Sequence, residues 1–199
     1  MLRFCKADVE SLHKAWGCNA GPCALAACLG IPLSAVRRLI PEFGMKGYVS
    51  RSMMRSALAH AGYEPRIVPS AEPDEGDRYP DHGLCRIQFG GSWINGPNAR
   101  GSWAILNSHW VASKQHEGVL WVFDFYAGYW MPWAEWNVEI VPLAIGGLRA
   151  PKLADGEFWP IDSWEVRRYR GESCKPNNSA NQQPGGTKAI ESRSQPARL

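Results

Sequence analysis

Hydrophobic residues in the first sixty positions fall into blocks of helical length. Residues 21–30 begin with Gly-Pro and end with a glycine, which favour the start and the end of a helix. The residues between them are apolar on every face, so we expect this helix to be buried on all sides. Two more helices are predicted over residues 33–40 and 52–61.

The pattern changes beyond residue 83. Strand-length segments that alternate or run apolar cover residues 84–89, 109–113, 119–125 and 138–143. Because the helices come first and the strands follow, the order predicts an α+β fold.

The composition is that of one globular domain with an appendage. The chain has 199 residues, of which 45% are hydrophobic and 21% charged, and this length can bury a sizeable core. The formal net charge is +3, and residues 165–199 carry seven Lys or Arg against three Glu. We therefore predict a folded domain over residues 1–164 and a basic, disordered tail over 165–199. Because the charges outside the tail nearly balance, nucleic acid is not an expected partner.

The N-terminal residues lack the apolar core and the cleavage site of a secretory signal, and no apolar run reaches membrane-spanning length. We expect a cytoplasmic protein that does not enter a membrane and whose six cysteines are reduced. The five-residue spacing of Cys18, Cys23 and Cys28 does not keep one helix face, and no pair of histidines lies nearby. We therefore predict neither a metal site nor a cofactor.

The helix start at Gly21-Pro22 is a suitable place for a reactive thiol. Unpaired amides and the helix dipole stabilise an anion there and lower the pKa of a thiol. Three positions can place sulfur or its replacement at this helix start, which we call the helix mouth, namely Cys18, Ala20 and Cys23. Helical side chains lean toward the N-terminus, so Cys23 is expected to direct its sulfur toward the mouth. The alternative is that Cys23 is a small buried residue that packs the helix.

A base and its orienting carboxylate are predicted from the pairing of two strands. If the turn between them has four residues, 115–118, paired positions have numbers that sum to 233, as 109 and 124 do. His109 and Asp124 are then a cross-strand pair with Cβ atoms about 5 Å apart. A three-residue turn would put them on opposite faces. An Asp in an apolar strand is costly without a partner, which favours a functional pair over a merely structural one.

These motifs resemble a known family. The run Asn-Ala-Gly-Pro-Cys-Ala-Leu from residue 19, followed by His-Trp-Val-Ala from residue 109 and by Asp124, resembles the papain-like peptidases of the bacteriocin-processing type. Residues 47–58, 86–89 and 108–111 are similar to uncharacterised phage and prophage proteins of that fold. The resemblance covers about residues 15–145 of the 199.

The resemblance implies a papain-like fold and a Cys-His-Asp triad that cleaves a peptide or isopeptide bond through a thioester, or transfers the acyl group. In the family a cysteine directly precedes Gly-Pro, and Ala20 stands there in this chain. Three explanations of this alanine are open. The activity was lost naturally, the cysteine was deliberately replaced by alanine, or the nucleophile moved one helical turn along to Cys23. The glutamine that gives the family an oxyanion-hole amide is also missing, and Asn19 is the candidate to replace it.

Two functions therefore follow from the resemblance. The first is a cysteine hydrolase that acts on a protein or peptide substrate with Cys23 or Cys18 as nucleophile. The second is an inactive papain-like scaffold that binds a phage or host protein. Six of the ten tryptophans lie between residues 103 and 136, where they serve either the core or an aromatic-lined binding groove.

Overall fold

The structure is a computed structural model that describes residues 4–68, 79–91, 107–148 and 154–169. The helices of these ranges are α1 (Lys6–Trp16), α2 (Ala20–Leu29), α3 (Leu33–Leu39), α4 (Phe43–Lys46), α5 (Arg51–His60), α6 (Trp133–Glu139) and α7 (Val141–Gly146). The strands are β1 (Tyr63–Ile67), β2 (His82–Gly91), β3 (Ser108–His116), β4 (Val119–Phe123), β5 (Trp130–Pro132) and β6 (Ala154–Arg168). The mixed helical and antiparallel architecture confirms the α+β prediction.

The strands form one antiparallel sheet in the order β1-β6-β2-β3-β4-β5. Successive residues of a strand face opposite sides, and both sides are covered here. One face, which carries Leu84 and Trp110, packs against α2 and its neighbouring helices. The other face, which carries Val111 and Val122, packs against α6 and α7 through Trp136. The sheet therefore has two cores, one on each side.

Helix α2 is the central element of the first core, as its apolar composition predicted. The side chain of Asn19 accepts a hydrogen bond from the Gly21 N–H at the helix start, and Gly30 ends the helix with a left-handed φ of 62°. Eight of its ten residues, from Gly21 to Cys28, are buried. Among the described residues, no single helix is long and apolar enough to cross a membrane. Taken together, α2 and α3 have the required length and hydropathy, but they are bent by 108° relative to each other.

The strand predicted over residues 138–143 is wrong, because this segment contains the end of α6 and the start of α7. Its buried residues belong to a helical pattern that begins further upstream. Trp136, Ile140, Val141 and Ala144 are all buried, and the spacings of four residues from 136 to 140 and of three from 141 to 144 are those of a buried helix face. The run over residues 138–143 excludes Trp136 and is too short to reveal the helical period.

The predicted tail begins too early. Residues 165–168 belong to β6, where they pair with residues 63–66 of β1, and the compact unit ends at Tyr169. The buried apolar residues Trp164 and Val166 alternate with the charged residues Glu165 and Arg167, which is the pattern of a strand with one buried face. The part of the tail beyond Tyr169 lies outside the described residues.

The turn between β3 and β4 is shorter than predicted. It consists of Glu117 and Gly118 with φ values of 53° and 75°, and His116 pairs directly with Val119. Two-residue hairpins of this kind match the right-handed twist of the strands. Paired positions therefore sum to 235, not to 233, and the direct pairing predicted for His109 and Asp124 is wrong.

Candidate active site

His109 and Asp124 form a buried hydrogen-bonded pair where β3 begins and β4 ends. Their Nε2 and Oδ2 atoms lie 2.8 Å apart, and the two residues are 8% and 0% exposed. The register differs from the prediction by two positions, and a shift by an even number keeps both side chains on the same face. The structure thus brings together the two residues by a diagonal contact and not by direct pairing.

The Asp124 carboxylate is held by three N–H donors. Besides His109, the indole Nε1 of Trp136 donates to the same Oδ2 over 2.9 Å, and the Tyr126 N–H donates to Oδ1 over 2.8 Å. These bonds satisfy a carboxylate that is entirely removed from solvent. They also fix its orientation relative to the imidazole.

The imidazole of His109 has one nitrogen committed and one available. A carboxylate accepts, so the proton of the neutral ring lies on Nε2 and Nδ1 keeps its lone pair. Two aromatic rings flank the imidazole. The Tyr126 ring stacks on it with 5.8 Å between the ring centroids and 21° between the planes, and the centroid of the Phe89 ring lies 6.3 Å from that of the imidazole. The orientation of the potential base is therefore fixed by a hydrogen bond and by aromatic neighbours.

A cavity of about 170 Å³ adjoins this pair. One wall is the start of α2 together with Tyr48 and Val49. The opposite walls are formed by residues 108–110, by Phe125 and Tyr126, and by residues around the end of α7. The cavity thus lies between the helix mouth and His109, where a substrate group would meet both.

Of the three candidate nucleophile positions, only Ala20 lines this cavity. Cys18 and Cys23 are both 0% exposed, and their sulfur atoms lie 3.4 Å apart in the core. The contact with Cys18 and burial raise the pKa of the Cys23 thiol far above its ordinary value. The expectation that Cys23 directs its sulfur toward the mouth is wrong, because α2 turns that face into the core.

Asn19 ties the helix start to the neighbouring loop. Its carbonyl oxygen accepts from Gly21 N–H over 3.3 Å, and its Nδ2 donates to the Gly47 carbonyl over 3.0 Å. One amide hydrogen of Asn19 remains, so its part in an oxyanion hole stays a prediction.

The backbone at the mouth offers a further donor. In the first turn of α2, Gly21 N–H is used by Asn19, Pro22 has no N–H, and Cys23 N–H bonds to the Asn19 carbonyl. Within the described part of the chain, the N–H of Ala20 has no such acceptor. A carbonyl oxygen bound in the cavity can accept from it.

Sequence reasoning missed Trp136 and Tyr126, which hold or flank the His-Asp pair. The contact from Trp136 spans 12 residues and crosses from α6 to the strand end, so no local pattern reports it.

In the described ranges, no three His, Cys, Asp or Glu side chains are grouped as metal ligands. No protein-family model, curated protein or solved structure matches the chain.

Proposed function

We propose that this chain is a papain-like cysteine hydrolase scaffold that binds a peptide segment of a protein and, with Ala20 at the nucleophile position, does not cleave it. The observation that carries the proposal is the geometry of three positions. Ala20 lines the cavity beside His109, whereas Cys18 and Cys23 are enclosed in the core. A methyl group cannot attack a carbonyl carbon, so the thioester route is closed in this sequence.

The remaining groups are those that a cysteine at position 20 would use. Nδ1 of His109 would take the thiol proton, and the thiolate would attack the carbonyl carbon of the bound peptide. Asp124 would stabilise the imidazolium, and the N–H of residue 20 would donate to the developing oxyanion. The imidazolium would then return its proton to the leaving amine, and water would hydrolyse the thioester.

Without the thiol, the same groups support binding. The cavity presents a backbone donor at Ala20 beside aromatic walls from Trp110, Phe125 and Tyr126. Aromatic walls with a few placed polar groups are typical of sites that bind a ligand, and a backbone donor suits the carbonyl oxygen of a peptide. This supports the interpretation as a binding module over that of an active peptidase.

The test is to install the missing thiol as Ala20→Cys and to measure its alkylation by iodoacetamide near pH 7, residue by residue. Cys5 is exposed and gives the rate of an ordinary thiol in the same sample. We expect position 20 to react at least tenfold faster than Cys5, because His109 and the helix mouth favour its thiolate. The Ala20→Cys/His109→Ala variant should lose this advantage.

The matched control is Ala20→Cys/Cys23→Ser, which should keep the fast alkylation and should form an acyl-enzyme with an N-acetylalanine p-nitrophenyl ester. The original sequence should form none. Acyl-enzyme formation in the original sequence that disappears in Cys23→Ser would overturn the proposal and make Cys23 the nucleophile. An installed thiol no more reactive than Cys5 would equally contradict it.

A further inference from the structure

Tyr126 is positioned by the same carboxylate that orients His109. Its backbone N–H donates to Oδ1 of Asp124 over 2.8 Å, while His109 bonds to Oδ2. The tight turn that carries it is closed by the Gly128 N–H, which donates to the Asp124 carbonyl over 2.8 Å. The backbone of Tyr126 therefore has a fixed relation to the imidazole.

The ring of Tyr126 is also restrained. It stacks on the His109 ring with 21° between the planes, and it meets Phe125 edge to face with centroids 5.3 Å apart. A stacked pair of this kind has limited freedom to rotate. The position of the phenolic oxygen thus follows from that of the base.

The phenolic oxygen of Tyr126 packs against Gly147. A Cβ at position 147 would overlap the Oη atom of Tyr126. The backbone of Gly147 has φ −83° and ψ −3°, which any residue can adopt. The glycine is therefore required by the space that the hydroxyl occupies and not by its own conformation.

The hydroxyl of Tyr126 is available as a donor. Tyr126 lines the cavity, and its Oη makes no hydrogen bond to another described residue. Burial and the nearby charge of Asp124 raise the pKa of Tyr126 above its usual value. The group therefore keeps its proton at neutral pH and can donate to an acceptor in the cavity.

We infer that the Tyr126 hydroxyl donates a hydrogen bond to the carbonyl oxygen of the peptide bound beside His109. This inference rests on the proposed function and adds a side-chain donor to the backbone donor at Ala20. It assigns Tyr126 the part for which the chain lacks a glutamine. In a variant with a thiol at position 20, the hydroxyl would stabilise the oxyanion that develops on that oxygen.

The experiment uses the full chain with Ala20→Cys and compares it with Ala20→Cys/Tyr126→Phe. The phenylalanine keeps the stacked ring and removes only the oxygen. Hydrolysis of N-acetylalanine p-nitrophenyl ester should fall about 100-fold in kcat, with a smaller rise in KM, because the hydroxyl bonds more strongly to the developing oxyanion than to the carbonyl oxygen of the bound ester. Iodoacetamide forms no oxyanion, so its rate of alkylation at position 20 and the pH profile of that rate should stay unchanged.

A second variant tests the Tyr126 hydroxyl through its neighbour Gly147. Ala20→Cys/Gly147→Ala should displace the hydroxyl and lower kcat to a similar extent, and it should lower kcat little further when Tyr126→Phe is also present. An unchanged kcat in Tyr126→Phe would overturn the inference. An equal fall in hydrolysis and alkylation would also overturn it, because Tyr126 would then act by positioning His109. A slow alkylation of Ala20→Cys itself would instead contradict the proposed function.

Discussion

The sulfur atoms of Cys18 and Cys23 lie 3.4 Å apart in the core, although Ala20, between them in sequence, lines the cavity. Cys18 precedes α2 and Cys23 lies in its first turn, so the buried thiol pair lies on either side in sequence of the position that lines the cavity. Cys28, further along the same helix, is buried as well. These three thiols have the environment of core residues and not of nucleophiles.

We expect native-state alkylation to reach Cys5 and to spare Cys18, Cys23 and Cys28. Burial excludes the reagent from all three thiols, and the raised pKa of Cys23 and Cys28 further disfavours the thiolate that reacts. Peptide mapping by mass spectrometry after iodoacetamide treatment at pH 7.5 measures this, and the same treatment in 8 M urea should label all four. Labelling of Cys23 as fast as of Cys5 in the native protein would contradict the buried placement.

The buried thiol of Cys28 should make stability depend on alkaline pH. Burial raises its pKa from 9.0 to about 12, so the folded state holds this proton more tightly than the unfolded state does. The contribution to stability is complete below pH 9 and is lost as the pH rises from 9 toward 12. Its limiting slope is about 1.4 kcal/mol per pH unit. Urea denaturation between pH 7 and 10 should show a smaller fall in Cys28→Ala than in the original chain, and equal falls would refute this assignment.

A close approach between Gly21 and Val49 holds the helix mouth against the neighbouring loop. A Cβ at position 21 would lie 2.5 Å from Cγ2 and 2.7 Å from Cβ of Val49. The Val49 carbonyl is itself fixed by the indole N–H of Trp110 over 2.9 Å. We expect Gly21→Ala to lower the free energy of unfolding by about 1–3 kcal/mol through overpacking, as measured by urea denaturation.

Gly44→Ala is the matched control for that variant. Gly44 lies within α4, and a Cβ there meets nothing within 4 Å, so alanine should stabilise the helix by up to about 1 kcal/mol. The double variant Gly21→Ala/Val49→Ala should lose less free energy of unfolding than the two single variants lose in total, because the smaller side chain at position 49 removes the clash. Strict additivity would show that this contact is not the cause.

Local chemistry explains why some elements could be predicted from the sequence. The ends of α2 lie within one residue of the predicted ones, since a proline in the first turn and a terminal glycine act within a few residues. The direction of Cys23 could not be predicted in the same way. It depends on how α2 is rotated about its axis, and contacts with the sheet, distant in sequence, decide that rotation.

The contact between His109 and Asp124 was also predictable only in part. A side-chain period of two places His109 and Asp124 on one face even with the turn length wrong by two residues. Their hydrogen bond further depends on Trp136 and Tyr126, and the position of Trp136 follows from helix packing. The mistaken strand at residues 138–143 hid that helix, so the third support of the carboxylate could not be predicted.

The β3–β4 turn offers a stabilising substitution. Glu117 has a φ of 53°, a conformation that is unfavourable for most side chains and well tolerated by asparagine. We expect Glu117→Asn to raise the melting temperature by about 2–4 °C, which corresponds to about 1 kcal/mol for a chain of this size. Glu117→Gln removes the same charge without that backbone preference and should give no gain. A similar gain in both variants would assign the effect to the charge.

Asp124 should affect both stability and the reactivity installed at position 20. Its carboxylate accepts from His109, Trp136 and the Tyr126 backbone while wholly buried, so Asp124→Ala leaves three donors without their acceptor. We expect the free energy of unfolding to fall by about 3–5 kcal/mol, since each buried donor left unpaired costs about 1–3 kcal/mol and the losses overlap. Urea denaturation measures this loss.

Asp124→Asn separates charge from packing because it keeps the volume of the side chain. In the Ala20→Cys background, we expect it to slow alkylation at position 20 by more than tenfold, because the imidazolium loses its counter-charge and its fixed tautomer. Trp136→Phe removes one donor and leaves the charge, so it should slow the reaction less. If Asp124→Asn alkylates as fast as the parent, then His109 does not depend on this carboxylate, and the pair is a structural contact of the second core.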